Sequence, residues 1–379
     1  MSALVLFITL AVLALNAFLC FGEVEPWVGS KLGTTEYRGE LAAIEQAKDD
    51  YLKSLNDTLY KPRKELLCVS FLGLAPNSTL IMMKNIQYTN RRCDWAFILY
   101  AGTKGERRAI CDGLNTVFGN VVHCVRAIES YVSEKHKKSL PKSVQYQSLL
   151  PVLPGYNKVL MMDEDISVKD LNLDAFLNIW NCGFAYRPLV VQPLIAENNQ
   201  YIPYVNAHPW RNHTRAGVLA STVGYVEQQV PAMDSMFFEW FVRRVLSQTK
   251  ELAVQYAMDW GHDRSWCNAA AMYAHEVLRW PRSGFNDSVP TPCALITSNQ
   301  TMAHHLNHHT MKIVQGRLKT VRKHAFIVVQ RYVDLFPTWV GMDLIVPYNP
   351  LNETNVGKYF QIRALDPTCV SANPTGAPL

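Results

Sequence analysis

From residue 65 onward, short apolar runs alternate with longer stretches of mixed polarity. The runs LLCVSFLGL (66–74), DWAFILYAG (94–102), VVHCVRAI (121–128), KVLMM (158–162), PLVVQPL (188–194) and CALITS (293–298) are close to continuously apolar. Strands covered on both faces of a sheet have that texture. Helices are predicted for SVQYQSLLPVL (143–153), LNLDAFLNIW (171–180), AMDSMFFEWFVRRVLSQ (232–248), DRSWCNAAAMYAHEVL (263–278) and LKTVRKHAFIVVQRYVDLF (318–336). Asp234 is placed as an N-cap, and Asp263 falls near the start of its helix. Strand–helix alternation predicts an α/β layered domain with a largely parallel sheet. Ahead of it, YRGELAAIEQAKDDYLKSL (37–55) sets Leu41, Ile44, Tyr51, Leu52 and Leu55 near one helical face, the pattern of a stem helix. The expected organisation is a leader at 1–22, a stem region at 23–61, one α/β domain at 62–315, and a C-terminal helix with tail at 316–379.

The leader changes the compartment. MSALVLFITLAVLALNAFLCFG has no charged side chain before Glu23, so it is a signal peptide or a membrane anchor. Cys20 and Gly22 are small residues suited to a cut before Glu23. Either way the remainder is expected in the secretory lumen (Golgi or endoplasmic reticulum) or outside the cell. Sequons at Asn56, Asn77, Asn212, Asn286, Asn299 and Asn352 exceed the roughly two or three that chance would supply. Beyond Cys20 there are eight cysteines, Cys68, Cys93, Cys111, Cys124, Cys182, Cys267, Cys293 and Cys369. An even number with no zinc spacing reads as disulfides of open connectivity.

Composition excludes other classes. Hydrophobic content of 49% and charged content of 18% belong to a globular chain. A net charge of +5 in 379 residues lacks the dense basic face of a nucleic-acid binder. The one basic knot, EKHKKSLPK (134–142), reads as a solvated loop.

Chemistry concentrates in three blocks. In NKVLMMDEDISVKD (157–170) an apolar strand runs into Asp163, Glu164 and Asp165. Like charges this close need a cation among them. Asp163 and Asp165, two residues apart at the carboxyl end of a parallel strand, can converge on Mg²⁺ or Mn²⁺ bridging to a diphosphate. The plainer alternative is an acidic strand end capping a helix. An EF-hand is disfavoured, because Val168 stands where the loop needs glycine and a strand precedes it. A phosphatase with Asp163 as nucleophile is a further alternative, although about a hundred residues of α/β pattern come first. The second block, YAMDWGHDRSWCNAAAMY (256–273), offers Asp263 as an N-cap or as a base toward an acceptor hydroxyl. The third, TMAHHLNHHTM (301–311), carries His304, His305, His308 and His309. One of these reaching the metal held by Asp163 and Asp165 is favoured over a separate zinc site.

Together these blocks resemble a glycosyltransferase of the GT-A type, in which a D-x-D after a strand holds Mn²⁺ or Mg²⁺ against a nucleotide-sugar diphosphate. More narrowly, the chain resembles a plant-rich eukaryotic family of unknown function, often labelled lysine-ketoglutarate reductase trans-splicing related. MDEDI (162–166), VVQPL (190–194), YVEQQVP (225–231), WGHD (260–263) and AHHLNHHT (303–310) follow that family's order over residues 64–312, and DWAFILYAG resembles its strand ending in Y-D-G. Met162, Ala101 and His262 stand where the family has Trp, Asp and Leu. The resemblance implies a GT-A-like (Rossmann-like) mostly parallel sheet flanked by helices, with an N-terminal stem helix and a C-terminal helical extension. It implies cofactor-site roles for Asp163, Glu164 and Asp165, with metal ligation by Asp163, Asp165 and His305, His304 being the reserve choice. Asp263 becomes the candidate base and Glu227 a second acceptor-side residue. The donor would be a UDP- or GDP-sugar and the acceptor a glycan or glycoprotein. The alternatives are a catalytically silent lumenal sugar-binding relative and the D-x-D phosphatase.

Overall fold

The computed structural model describes residues 64–73, 76–89, 92–119, 122–126, 141–197, 200–201, 217–224, 226–249, 252–253, 263–280, 291–298, 300–306, part of 327–334, 361–366 and 369. The leader, the stem helix expected at 37–55, the WGH of 260–262 and the histidines at 308 and 309 lie outside these residues.

Four parallel strands form the heart of the sheet: β1 (Lys64–Leu72), β2 (Asp94–Leu99), β3 (Val122–Arg126) and β4 (Tyr156–Met162). They lie in the order β3-β2-β1-β4. The crossovers between β1, β2 and β3 are α1 (Pro76–Tyr88) and α2 (Lys104–Phe118). The α2 N-terminus is closed by a capping box in which Thr103 and Glu106 satisfy each other's backbone N–H. A one-turn helix, α3 (Lys142–Gln145), and two 3₁₀ turns lead into β4. The helix expected over 143–153 is therefore helical in pieces, interrupted where Pro151 and Pro154 remove backbone donors.

Past β4 the chain builds β5 (Ile166–Leu171), α4 (Leu173–Cys182), β6 (Val190–Glu197), β7 (Gln200–Tyr201), β8 (Ala220–Thr222) and β9 (Ala232–Asp234). Then come α5 (Ser235–Trp240), α6 (Asp263–Glu276), β10 (Cys293–Ile296), β11 (Thr301–His305) and β12 (Gln361–Ile362). β9 runs antiparallel between β4 and β6, so β6 regains the direction of β4. β10 and β11 both follow β6 in parallel. Eight of the twelve described strands therefore point one way, as the apolar runs predict. β6 belongs to two sheets: Val190–Pro193 pair with β10, and Leu194–Glu197 pair with β11, which in turn pairs antiparallel with β5.

Two apolar layers cover the sheet. On one face Met82, Ile86, Leu114, Phe176 and Trp180 of α1, α2 and α4 pack on Leu66, Cys68 and Leu160. On the other, Phe237, Phe238, Trp266 and Tyr273 of α5 and α6 pack on Leu67, Val69 and Val159. Alternate residues of β1 and β4 thus serve opposite layers, the period of a strand buried on both sides. Asp234 caps α5, accepting from the N–H groups of Met236 and Phe237 at 3.0 and 3.2 Å. The helix then continues through a π turn and a 3₁₀ turn to Gln248.

All eight cysteines pair: Cys68–Cys93, Cys111–Cys124, Cys182–Cys369 and Cys267–Cys293. The first two staple neighbouring strands and crossovers, and the third closes residues 187 apart. Sequence beyond 315 joins the same body. Val328 and Tyr332 are buried in the α5–α6 layer, and β12 pairs with β8 at the sheet edge. Within 318–336 the described residues are helical at 327–328, 330–332 and 334. Among the described residues no helix is long and apolar enough to cross a membrane.

Candidate functional site

The carboxyl ends of β1, β2 and β4 meet where a parallel α/β sheet normally receives its ligand. β4 is buried through Met162 because Val159, Leu160, Met161 and Met162 fill both layers. Its end delivers Asp163, Glu164 and Asp165 into a tight turn closed by Ile166 N–H donating to Asp163 C=O at 3.1 Å. β5 starts immediately, a strand the apolar pattern did not announce.

The three carboxylates separate in direction. Glu164 turns back toward the sheet, accepting from Gly73 N–H at 2.5 Å and from Tyr100 O–H at 2.9 Å. It thereby ties the turn to the ends of β1 and β2. Burial, then the Glu164 charge, pushes the Tyr100 phenol above its ordinary range, so Tyr100 stays a donor. A Cβ on Gly73 would fall 2.7 Å from Tyr100 Oη and 3.0 Å from Glu164 Oε2, so any larger residue there would displace these side chains. Glu164 was expected at the cofactor with its two neighbours; its oxygens are engaged in positioning the turn instead.

The Asp163 and Asp165 side chains make other contacts, each about a fifth exposed. Asp165 Oδ2 lies 3.4 Å from His305 Nε2. The contact follows from register: His305 sits opposite Ile166, and Leu306 N–H donates to Asp165 C=O at 2.9 Å. Burial, then the nearby Asp163 charge, raises the Asp165 carboxyl above the usual aspartate value, while His305 and Lys142 pull it back. Asp163 forms an ion pair with Lys142, the first residue of α3. The cation among the carboxylates in this structure is a lysine, which sequence reasoning had assigned to a solvated basic loop. Its signal was weak, since nothing local to Lys142 marks it as paired with a residue 21 positions on.

His304 does not join this group. β11 is a strand, not a helix, so neighbouring histidines face opposite sides. His304 Nε2 lies 2.6 Å from Asp170 Oδ2, away from Asp163 and Asp165, which removes it as the reserve ligand. The loop containing Glu227 lies alongside: Gln229 C=O accepts from Asp163 N–H at 3.0 Å. Glu227 N–H donates to Gln192 Oε1 of β6 at 2.6 Å, and its own carboxylate accepts from Gln228 N–H at 3.1 Å. Gln229 keeps a buried side-chain oxygen without a partner among the described residues. Asp263 opens α6 as expected.

Carboxylate oxygens with one imidazole suit Mn²⁺ or Mg²⁺ by donor type. Among the described residues no three His, Cys, Asp or Glu side chains are grouped as a ready-made metal site. Asp165 and His305 meet; Asp163, beside them, is turned to Lys142.

A residue absent from any motif holds the turn from below. Asn85 of α1 is fully buried, donating to Ile166 C=O at 2.7 Å and accepting from Val168 N–H at 3.0 Å. At the opposite end of the strands, buried Asp94 accepts from Lys64 Nζ at 2.6 Å and from Tyr156 O–H at 2.6 Å, with His123 Nε2 2.8 Å from that phenol. This second polar cluster fixes the starts of β1 to β4, at the end of the strands away from the acidic turn.

No protein-family model and no curated protein sequence matches this chain. Solved structures similar to it include a mannosyltransferase of Pyrobaculum calidifontis in complex with GDP-mannose and Mn²⁺, with TM-score 0.37 and 12% identity over 80% of this chain and 84% of that one. An active-site mutant of LgtC gives 0.32 and 13% over 54% and 69%. The apo form of the glycosyltransferase GlyE of Streptococcus pneumoniae gives 0.31 and 13% over 74% and 64%. The first of these neighbours is a mannosyltransferase and GlyE is a glycosyltransferase.

Proposed function

We propose that the chain is a metal-dependent glycosyltransferase of the secretory pathway, moving a sugar from a UDP- or GDP-sugar to a glycan or glycoprotein acceptor. The observation that carries the proposal is the acidic turn itself. Asp163 and Asp165 stand at the carboxyl end of β4, at the meeting of β1, β2 and β4, with His305 against Asp165.

In this proposal Asp163, Asp165 and His305 hold Mn²⁺ or Mg²⁺. The bound cation would supply charge neutralisation to the nucleoside-diphosphate leaving group. Glu164, held by Gly73 and Tyr100, keeps the turn in place as ligands arrive. Asp263, at the start of α6, takes the proton of the incoming acceptor hydroxyl, with Glu227 as the second candidate for the acceptor side. The four disulfides and the apolar leader support a lumenal setting. A second reading, a catalytically silent sugar-binding protein, is favoured by one observation: the Lys142–Asp163 ion pair already supplies a cation to the turn.

The deciding experiment is calorimetric titration of the chain from Glu23 onward with UDP, GDP and their sugars, with Mn²⁺ or with chelator, beside Asp165→Ala. Metal-dependent binding of one nucleotide, lost in the variant, is the expected result. A folded protein that binds no nucleotide under either condition would overturn the enzyme proposal.

A further inference from the structure

Of the sequons along the chain, Asn77-Ser78-Thr79 is the one whose asparagine lies among the described residues. Pro76 opens α1, a position where its fixed φ suits the helix and its missing N–H costs nothing. Asn77 therefore falls in the first turn of a 13-residue helix. Gly73, a few residues earlier, donates its N–H to Glu164, so α1 starts at the same end of the sheet as the acidic turn. The Asn77 side chain is exposed and has no hydrogen-bond partner among the described residues. Asn85, on the same helix, is the opposite case: it is fully buried and bonded through both amide atoms.

A second observation sits one turn along. Leu80 is 51% exposed, among the few large apolar side chains that face water in the described residues. Residues at i and i+3 of a helix are surface neighbours, about 5–6 Å apart at Cβ, so the free amide and the exposed leucine share one patch. A lone exposed leucine is ordinary. This one stands within reach of the first sugars that the Asn77 amide would carry. Sugar rings present C–H faces as well as hydroxyls, and a ring lying over Leu80 removes apolar surface from water.

We propose that Asn77 is an N-glycosylation site and that the first sugars of its glycan cover Leu80 at the head of α1. The inference rests on the lumenal setting of the proposed function. The modification is transfer from a lipid-linked oligosaccharide diphosphate. Asn77 Nδ2 bonds to the anomeric carbon, the anomeric C–O bond breaks, the lipid diphosphate departs with the electron pair, and the amide gives up one proton. Thr79 supplies the hydroxyl that the acceptor sequence needs two residues on. Transfer acts on the chain as it enters the lumen, before α1 has formed, so the fold has only to leave room for the product. The exposed Asn77 side chain leaves it.

The test is expression of the full chain through the secretory pathway of a eukaryotic cell, then peptide-N-glycosidase digestion in heavy-oxygen water and peptide mass spectrometry. The expected result is Asn77 recovered as heavy-labelled aspartate. The glycan is lost in Asn77→Gln and in Thr79→Ala and kept in Thr79→Ser. Hydroxyl-radical footprinting of the native proteins reads the contact: Leu80 loses its protection in Asn77→Gln and Thr79→Ala, while Tyr88, exposed at the other end of α1, is unchanged. Circular dichroism confirms folding, and Thr79→Ala removes the glycan with the amide retained should Asn77→Gln fold poorly. If other sequons are labelled and Asn77 is not, this inference falls and the lumenal reading stands. If no sequon is labelled, the lumenal reading falls and this inference with it. If Asn77 is labelled and Leu80 reacts equally with and without the glycan, the covering of Leu80 is overturned.

Discussion

Replacing Asn85 tests the claim that the acidic turn is held from beneath by α1. The side chain bridges Ile166 C=O and Val168 N–H at 2.7 and 3.0 Å, and its Nδ2 lies 3.8 Å from Met162 Sδ. These contacts bracket residues 163–165 on both sides. Asn85→Ala removes two hydrogen bonds and leaves a carbonyl and an amide buried without those partners. An unsatisfied buried group costs about 1–3 kcal/mol, so the two together are worth about 2–6 kcal/mol. For a protein of this size, about 2–4 °C accompanies each kcal/mol, which puts the fall in Tm at roughly 4–24 °C. Asn85→Leu keeps the volume and lacks the polar atoms, so it separates lost hydrogen bonding from a cavity. Urea unfolding with intact disulfides, followed by tryptophan fluorescence, gives both differences. The expected outcome is a similar loss in the two variants. A loss below about 1 kcal/mol in both would refute the argument, because the backbone groups would then have found other partners and the turn would not depend on α1.

Three further outcomes are expected. Glu164→Ala, which deprives Gly73 N–H and Tyr100 O–H of their shared acceptor, lowers stability by about 2–3 kcal/mol and, under the proposed function, weakens Mn²⁺ binding while leaving Asp163 and Asp165 in place; equilibrium unfolding beside metal titration checks both halves. Burial depresses the pKa of Lys158, which is paired with Glu65 and lies 5.2 Å from the Trp180 ring centroid. A lysine whose folded pKa is lowered carries its penalty while charged, and the unfolded chain binds more protons between the folded value and 10.5. The Lys158 contribution to stability therefore rises with pH through that alkaline window, and Lys158→Met lacks the rise in denaturation midpoints measured across it. Finally, chain-entropy arguments make the Cys182–Cys369 closure worth about 5 kcal/mol and the 13-residue Cys111–Cys124 closure about 3 kcal/mol. Paired serine substitutions compared by thermal unfolding should keep that order, and the reverse order would count against an entropic origin.

Burial determined what could be read from the chain. β1, β2, β4, β6 and β10 were legible because strands covered on both faces need apolar residues at nearly every position, and Leu66–Leu72, Ser70 apart, and Val159–Met162 supply them. β8 and β9 span three residues each, too short for a period to emerge, and they owe their geometry to neighbours distant in sequence. β5 was missed because Lys169 and Asp170 are exposed in the middle of it, so it lacks a continuous apolar signal. At the site, Asp163 and Asp165 stood out through strand-then-acid spacing alone. The pairing of Asp165 with His305 depends on the β5–β11 register, which no local pattern encodes. The same register separates His304 from His305, a distinction that helical spacing would have erased. Lys142 and Asn85 were illegible for a common reason: each acts on a turn some 20 or 80 residues away, and neither residue type is unusual where it stands.

The edge of the sheet imposes an order of events during synthesis. β12 supplies Gln361 and Ile362 to β8, whose own residues end at Thr222, and Cys369 lies a few positions further on. While the chain is still emerging from the ribosome, β8 has one open side and Cys182 has no partner thiol. A nascent chain can lay down the β3-β2-β1-β4 half early, yet its last edge stays exposed to other strands and the Cys182 thiol stays unpaired until Cys369 has been released. Premature termination before residue 361 would leave that edge and that thiol permanently open, so truncated chains are expected to be prone to strand pairing with other chains and to mixed disulfides.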